Sequence, residues 1–164
     1  MNWHFSYADK SDLPSLLPPL FEILYANMTL IVPTGCTYEE DYQTWFSYVY
    51  PAMQKPQRQI VVMYAGDSII GYFQYDIRNE TLMMEEIQIK KPYHGSGVFS
   101  AFYAWLVRQL PDDIKTVEAY SNKKNIKSQS VLEHLGLTRC GENKNGNSYY
   151  YRGDYKTILE RYGA

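Results

Sequence analysis

Cysteine is scarce in this chain: Cys36 and Cys140 stand far apart, with no CxxC pair and no histidine near Cys36. That spacing excludes a zinc cluster and a disulfide framework, and it gives Cys36 no partner for a nucleophilic role. No metal site is expected, and the expected compartment is reducing and cytoplasmic. An excess of one charge is also missing. Sixteen Lys and Arg against eighteen Asp and Glu leave a net charge of −2, which argues against nucleic acid or an anionic membrane as partner. There is no apolar run of about 18 residues, so no spanning helix is expected. The start, Met1-Asn2-Trp3-His4, has neither the basic residues nor the apolar stretch of a secretory signal. Repeats, low-complexity tracts and linkers are absent as well, so residues 1–164 are read as a single domain with room for a substantial core.

What is present in excess is tyrosine, with 17 residues, expected in the core, on sheet surfaces and in part along a substrate site. The pattern alternates between strands and helices. Trp3 to Tyr7 alternates as a strand. Ser11-Asp12 followed by Pro14 opens a helix to about Ala26, with Pro18-Pro19 set to break or kink it. Residues 31–36 read as loop. Thr37 then opens a second helix, with Glu39, Glu40 and Asp41 where the helix dipole favours acid, ending near Met53. Gln59–Tyr64, Ile69–Ile77 and Leu82–Ile89 are strands of a meander, joined by short turns at Gly66-Asp67 and Asn79-Glu80. A helix from Val98 to Leu110, a strand from Lys115 to Tyr120 and a helix from Asn125 follow. Asn145-Gly146 marks a hairpin between Thr138–Glu142 and Ser148–Tyr155.

The segment of greatest chemical content is His94-Gly95-Ser96-Gly97-Val98-Phe99-Ser100. A strand feeds a glycine-rich turn that opens directly into a helix. Glycines let the backbone approach an anion, and the unpaired first-turn N–H groups with the helix dipole face it, so the segment reads as a phosphate cradle.

Downstream stands Asn125-Ile126-Lys127-Ser128, followed by Leu132 and Gly136-Leu137. Together the two segments resemble the paired signatures of the GNAT superfamily of acyl-CoA-dependent N-acyltransferases: Gln/Arg-x-x-Gly-x-Gly/Ala, then Asn-x-x-Ala/Ser, Tyr and Gly-Phe. The resemblance covers residues 83–140. His94 stands where Gln or Arg is usual, Phe99 where a small residue is usual, and Leu132 where a tyrosine often protonates the departing thiolate. The resemblance implies an α/β fold with a mixed, mostly antiparallel central sheet of six or seven strands flanked by about four helices. It also implies a splay between the fourth and fifth strands.

The resemblance further implies acetyl-CoA as cosubstrate. The pantetheine arm would run beside Ile87 to Ile89, and the pyrophosphate would lie on the turn formed by His94, Gly95, Ser96, Gly97, Val98 and Phe99. Asn125 would hold the arm or order water beside it, and Ser128 would let it pass. The Ile89 backbone N–H would stabilise the oxyanion. Lys90 and Lys91, or Lys123, Lys124 and Lys127, are candidate contacts to the nucleotide phosphates.

A base must take a proton from the amine. Glu85 is the first candidate, because it shares a strand face with Ile87 and Ile89 at two-residue spacing. Glu86 is the alternative if a bulge shifts the register. For the acid, Leu132 is a packing residue, and Tyr120, Tyr149, Tyr150 and Tyr151 are left open.

The expected activity is acetyl transfer to a primary amine of a small molecule, amino acid or peptide, directly within a ternary complex. The acceptor segments would be Tyr25 to Tyr50 and Glu142 to Tyr155. The alternatives are a non-catalytic acyl-CoA-binding or sensing domain and a turn that binds a different phosphorylated ligand or none. Oligomeric state is left open, a homodimer included.

Overall fold

Local signals set most of the elements. The computed structural model describes residues 2–163. In chain order it contains β1 (Trp3–Tyr7), α1 (Leu13–Met28), α2 (Tyr38–Ala52), β2 (Arg58–Ala65), β3 (Ser68–Arg78), β4 (Thr81–Ile89) and α3 (Val98–Gln109). Then come β5 (Thr116–Asn122), α4 (Ile126–His134), β6 (Thr138–Glu142), β7 (Ser148–Asp154) and α5 (Tyr155–Tyr162). Seven strands form one sheet in the order β1-β2-β3-β4-β5-β7-β6. β4 and β5 are parallel, and their register runs from Thr81 opposite Thr116 to Met84 opposite Ala119. The mixed, mostly antiparallel sheet expected from the sequence is therefore present, with five α-helices among the described residues.

Contacts divide the chain into two compact units. One comprises the chain up to Gln74 together with Glu86–Val98, and the other Tyr75–Glu85 and everything from Phe99 onward. In the first unit, β1 runs antiparallel to β2, from Trp3 opposite Ala65 to Tyr7 opposite Val61. Its core joins Leu13, Leu17 and Leu20 of α1, Val49 of α2, Met53, Ile60 and Val62 of β2, and Tyr72 of β3. Each such side chain contributes about 1.5–3 kcal/mol by leaving water. This packing explains why α1 runs unbroken through Pro18 and Pro19 to Met28, where the sequence suggested a break or kink. The hydrogen bonds that two prolines cannot donate are outweighed by the buried Leu17, Leu20, Phe21 and Ile23 on the same helix. The entry to α1 also differs from expectation. Asp12 makes no side-chain cap, and Asp9 instead accepts the Ser11 N–H at 3.0 Å, closing a short 3-10 turn before the helix.

The start of α2 follows the sequence closely. Thr37 Oγ1 accepts the Glu40 N–H at 3.2 Å while the Glu40 carboxylate accepts the Thr37 N–H at 2.9 Å, a reciprocal capping box. These bonds hold the Glu40 carboxyl below its ordinary value.

In the second unit β7 pairs antiparallel with both β5 and β6. The hairpin expected at Asn145-Gly146 joins β6 to β7, with a register irregularity between Arg139 and Gly141. Leu106 of α3, Val117 of β5, Leu135 and Ile158 of α5 are buried. The Tyr103 and Tyr162 rings stack at 5.5 Å. α5, which no sequence signal announces, buries Tyr155 and Ile158 and is tied at its far end by the Arg161 guanidinium to the His134 carbonyl.

Candidate active site

The first unit holds the end of β4 and the glycine turn. The Ile70 carbonyl of β3 accepts the Lys90 N–H at 2.8 Å, which ties the end of β4 to its neighbour. Of the two candidate bases, Glu86 lies in this unit and Glu85 in the other.

Glu86 is half-buried. Its carboxylate accepts a hydrogen bond from the Gln88 amide, and loss of solvation pushes it from 4.5 up to about 7, partly opposed by that bond. Beside it, Tyr72 is fully buried, and its hydroxyl has no hydrogen-bond partner among the described residues. Burial, and then the Glu86 charge, raises the Tyr72 phenol well above its ordinary value. An unsatisfied buried hydroxyl is costly. Tyr72→Phe is therefore expected to stabilise the fold by about 1 kcal/mol, read from a urea unfolding curve. A loss of stability would show that the hydroxyl has a partner after all.

Ile89 is held closely. Its carbonyl accepts from Asn27 Nδ2 of α1 at 2.9 Å and from His94 Nε2 at 2.6 Å. A carbonyl only accepts, so the His94 proton is on Nε2. Gly71 on β3 backs the preceding peptide. A Cβ there would lie 2.6 Å from the Gln88 carbonyl oxygen and 3.3 Å from Ile89 Cα. Gly71→Ala is expected to displace the peptide that carries the Ile89 N–H, costing about 1–3 kcal/mol in denaturant titration. An unchanged midpoint would mean the backbone yields freely. Neither Asn27 nor Gly71 is marked by any sequence motif.

After β4 the chain makes a short turn over Lys91–Tyr93 and then the glycine segment. Gly95 and Gly97 have φ of +76° and +94°, and a Cβ on either would meet no atom within 4 Å. The Ser96 hydroxyl donates to the Tyr93 carbonyl at 2.6 Å and accepts the Val98 N–H at 3.3 Å. The result is an open, left-handed backbone cradle at the N-terminus of the 12-residue α3, whose first-turn N–H groups have no intrahelical acceptor. That form fits a phosphate group. Lys90 and Lys91, the charged candidates nearby, line a cleft of about 280 Å³ with Glu22, Ile23, Ala26, Asn27 and Pro92.

The second unit holds Glu85, Phe99, Asn125 and Ser128. Asn125 caps α4, its side-chain oxygen accepting the Ser128 N–H at 3.2 Å. Gln129, which no sequence motif marks, pins this turn by donating to the Asn122 and Lys123 carbonyls at 3.2 and 3.0 Å. Leu132 is 7% exposed, in keeping with a packing role. Lys123 is paired with Glu142 at 2.6 Å and lies over the Tyr149 ring.

The four tyrosines differ in access. Tyr151 is fully buried. The Tyr150 hydroxyl is bonded to Glu118, and burial with that bond raises its phenol to about 12. The Tyr149 ring is covered by Arg139 at 3.7 Å. Tyr120 is 49% exposed. Among the described residues no His, Cys, Asp and Glu group is arranged to hold a metal ion, and no helix is long and apolar enough to cross a membrane.

No protein-family model matches the sequence, and comparison with curated proteins gives no match. Solved structures do match. An acetyltransferase from Thermus thermophilus aligns with a TM-score of 0.73 at 15% identity, over 94% of this chain and 97% of its own. A protein from Desulfovibrio desulfuricans described as an acetyltransferase of the GNAT family aligns with 0.70 at 17%, over 93% and 99%. The aminoglycoside acetyltransferase AAC(6')-Ib, solved with coenzyme A and kanamycin, aligns with 0.67 at 15%, over 99% and 100%. The chain has the fold of the GNAT acetyltransferases.

Proposed function

We propose that this protein is an acetyl-CoA-dependent N-acetyltransferase that moves an acetyl group directly to a primary amine of a small molecule, amino acid or peptide. The observation that carries the reading is the glycine cradle: Gly95 and Gly97 hold left-handed backbone open to a ligand directly after the strand that bears Ile89 and the half-buried Glu86, whose carboxyl burial pushes up to about 7. A carboxylate of that basicity takes a proton from an ammonium group far more readily than an exposed one, and is still largely ionised just above neutrality.

In this reading the Gly95–Val98 backbone receives the pyrophosphate, and Ile87 and Ile89 line the pantetheine arm. Asn125 and Ser128 keep the roles that the family resemblance implies. Glu86, rather than Glu85, removes the amine proton. The free amine attacks the thioester carbonyl carbon, and the Ile89 N–H receives the developing negative charge. The C–S bond then breaks, and the departing thiolate takes a proton from solvent. Holding both reactants in place supplies much of the acceleration, on the order of 7–11 kcal/mol in favourable cases. For the acceptor, the Tyr38 ring lies near the Glu22 and Glu39 carboxylates, which favours an amine that arrives as a cation. Phe21, Tyr25, Tyr42 and Trp45 pack on one another, while Tyr38 is 41% exposed.

A calorimetric titration tests the cofactor half of the proposal. Acetyl-CoA is expected to bind while ATP does not. Equal binding of both would point to a general nucleotide site, and no binding at millimolar ligand would remove the basis for the enzyme reading. The buried Leu132 favours one rival, an acyl-CoA sensor without turnover, which predicts selective binding but no acetylated product from any amine.

A further inference from the structure

We propose that Asn27 is a positioning residue for this reaction, a clamp on α1 that orients Glu86 through Gln88 and fixes the Ile89 backbone; the proposal rests on the acetyltransferase reading of the same site. The Asn27 amide uses its nitrogen twice, donating to Gln88 Oε1 at 2.9 Å and to the Ile89 carbonyl at 2.9 Å. Gln88 is 8% exposed, and its amide has two orientations related by a flip. Only with Oε1 toward Asn27 does its NH2 group face the Glu86 carboxylate, as it does here. Flipped, it would set one acceptor against another. Asn27 therefore selects the orientation in which Gln88 donates to the base.

The second bond acts on the backbone. Together with His94 Nε2 at 2.6 Å, Asn27 fills both acceptor directions of the Ile89 carbonyl. One small amide thus fixes both the residue assigned as base and the residue whose N–H is assigned to the oxyanion. The titratable and charged groups around this chain of bonds are Tyr72 beside Glu86 from β3, His94 at the Ile89 carbonyl, and Glu22, Lys90 and Lys91 along the cleft that Asn27 also lines.

The test follows the Glu86 carboxyl carbon by NMR through a pH titration of the full chain, alongside kcat/KM for the amine. Asn27→Leu keeps the side-chain bulk and removes both donors. It is expected to raise the Glu86 midpoint by about one pH unit, as loss of one bond to a charged group does, and to lower kcat/KM about tenfold below neutrality. Gln88→Leu is expected to raise the midpoint equally, and the double variant to raise it no further than Gln88→Leu alone, because Asn27 reaches Glu86 only through Gln88. Asn27→Ser serves if the leucine variant does not fold. A Glu86 titration unchanged in the folded variant overturns the clamp, and so does an equal added shift in the Gln88→Leu background. Absence of turnover by the unaltered protein overturns the acetyltransferase reading itself, separately from what the titration reports.

Discussion

Replacing Glu86 by Gln is expected to lower kcat for amine acetylation by about 10²- to 10⁴-fold slightly above neutral pH, with acetyl-CoA affinity unchanged. Glutamine keeps the shape and can still bond to Gln88, but it accepts no proton from an ammonium group. In the unaltered protein, kcat/KM should climb with pH and level off with a midpoint near 7, where burial has moved this carboxyl. In the variant that limb should vanish. A pH–rate profile of both proteins checks this directly, and a variant with the same profile and rate would remove Glu86 from the mechanism.

The same group should leave a mark on stability. Its carboxyl is raised from 4.5 to about 7 on folding, so between those values the folded chain binds more protons than the unfolded one. Stability therefore falls as pH rises through this window, by about 3 kcal/mol in all, and the contribution is constant above and below it. Glu86→Gln should abolish that slope in urea unfolding measured across the window. The slope is a cost of keeping a carboxylate half out of water, and catalysis is its return.

The second large effect is expected at Gly97. Its φ of +94° lies where side chains with a Cβ are strained, and a branched one most of all. Gly97→Val is expected to weaken acetyl-CoA binding by about 100-fold or more while the chain stays folded. The reasons are distinct. The left-handed backbone that aims the α3 N-terminus would relax, a loss of about 1–3 kcal/mol, and the side chain would project into the open space that a phosphate requires. No protein atom lies within 4 Å of that position, so the damage falls on ligand binding and not on packing. Calorimetry gives the affinity, and thermal unfolding confirms the fold. Affinity within a few-fold of the unaltered protein would mean that the phosphates lie elsewhere.

Features with a local chemical cause were legible from the residues alone. Thr37 and Glu40 announce a capping box because both partners lie within one turn. Asn145-Gly146 announces a hairpin because its turn demands those residue types. Gly95 and Gly97 likewise occupy left-handed backbone.

Features decided at a distance were not legible. Pro18 and Pro19 look like helix breakers until the apolar face of α1 is packed against β2 and β3. α5 follows β7 with no intervening loop, and no local signal separates it from the strand that ends beside it; the burial of Tyr155 and Ile158 does. Period-two reasoning raises both Glu85 and Glu86 and cannot decide between them, because the burial that raises the Glu86 carboxyl is set by the packed fold. Asn27 and Gly71 matter only through β4 backbone that the fold brings beside them, so no spacing rule reaches them.

Incubating the protein with acetyl-CoA and a panel of primary amines, then weighing the amines by mass spectrometry, is the most direct test of the acetyltransferase reading. That reading predicts that at least one amine gains a single acetyl group, at a rate that rises with pH toward a plateau and collapses in the Glu86→Gln variant. Selective acetyl-CoA binding without acetylation of any amine would contradict it and leave a sensor in its place.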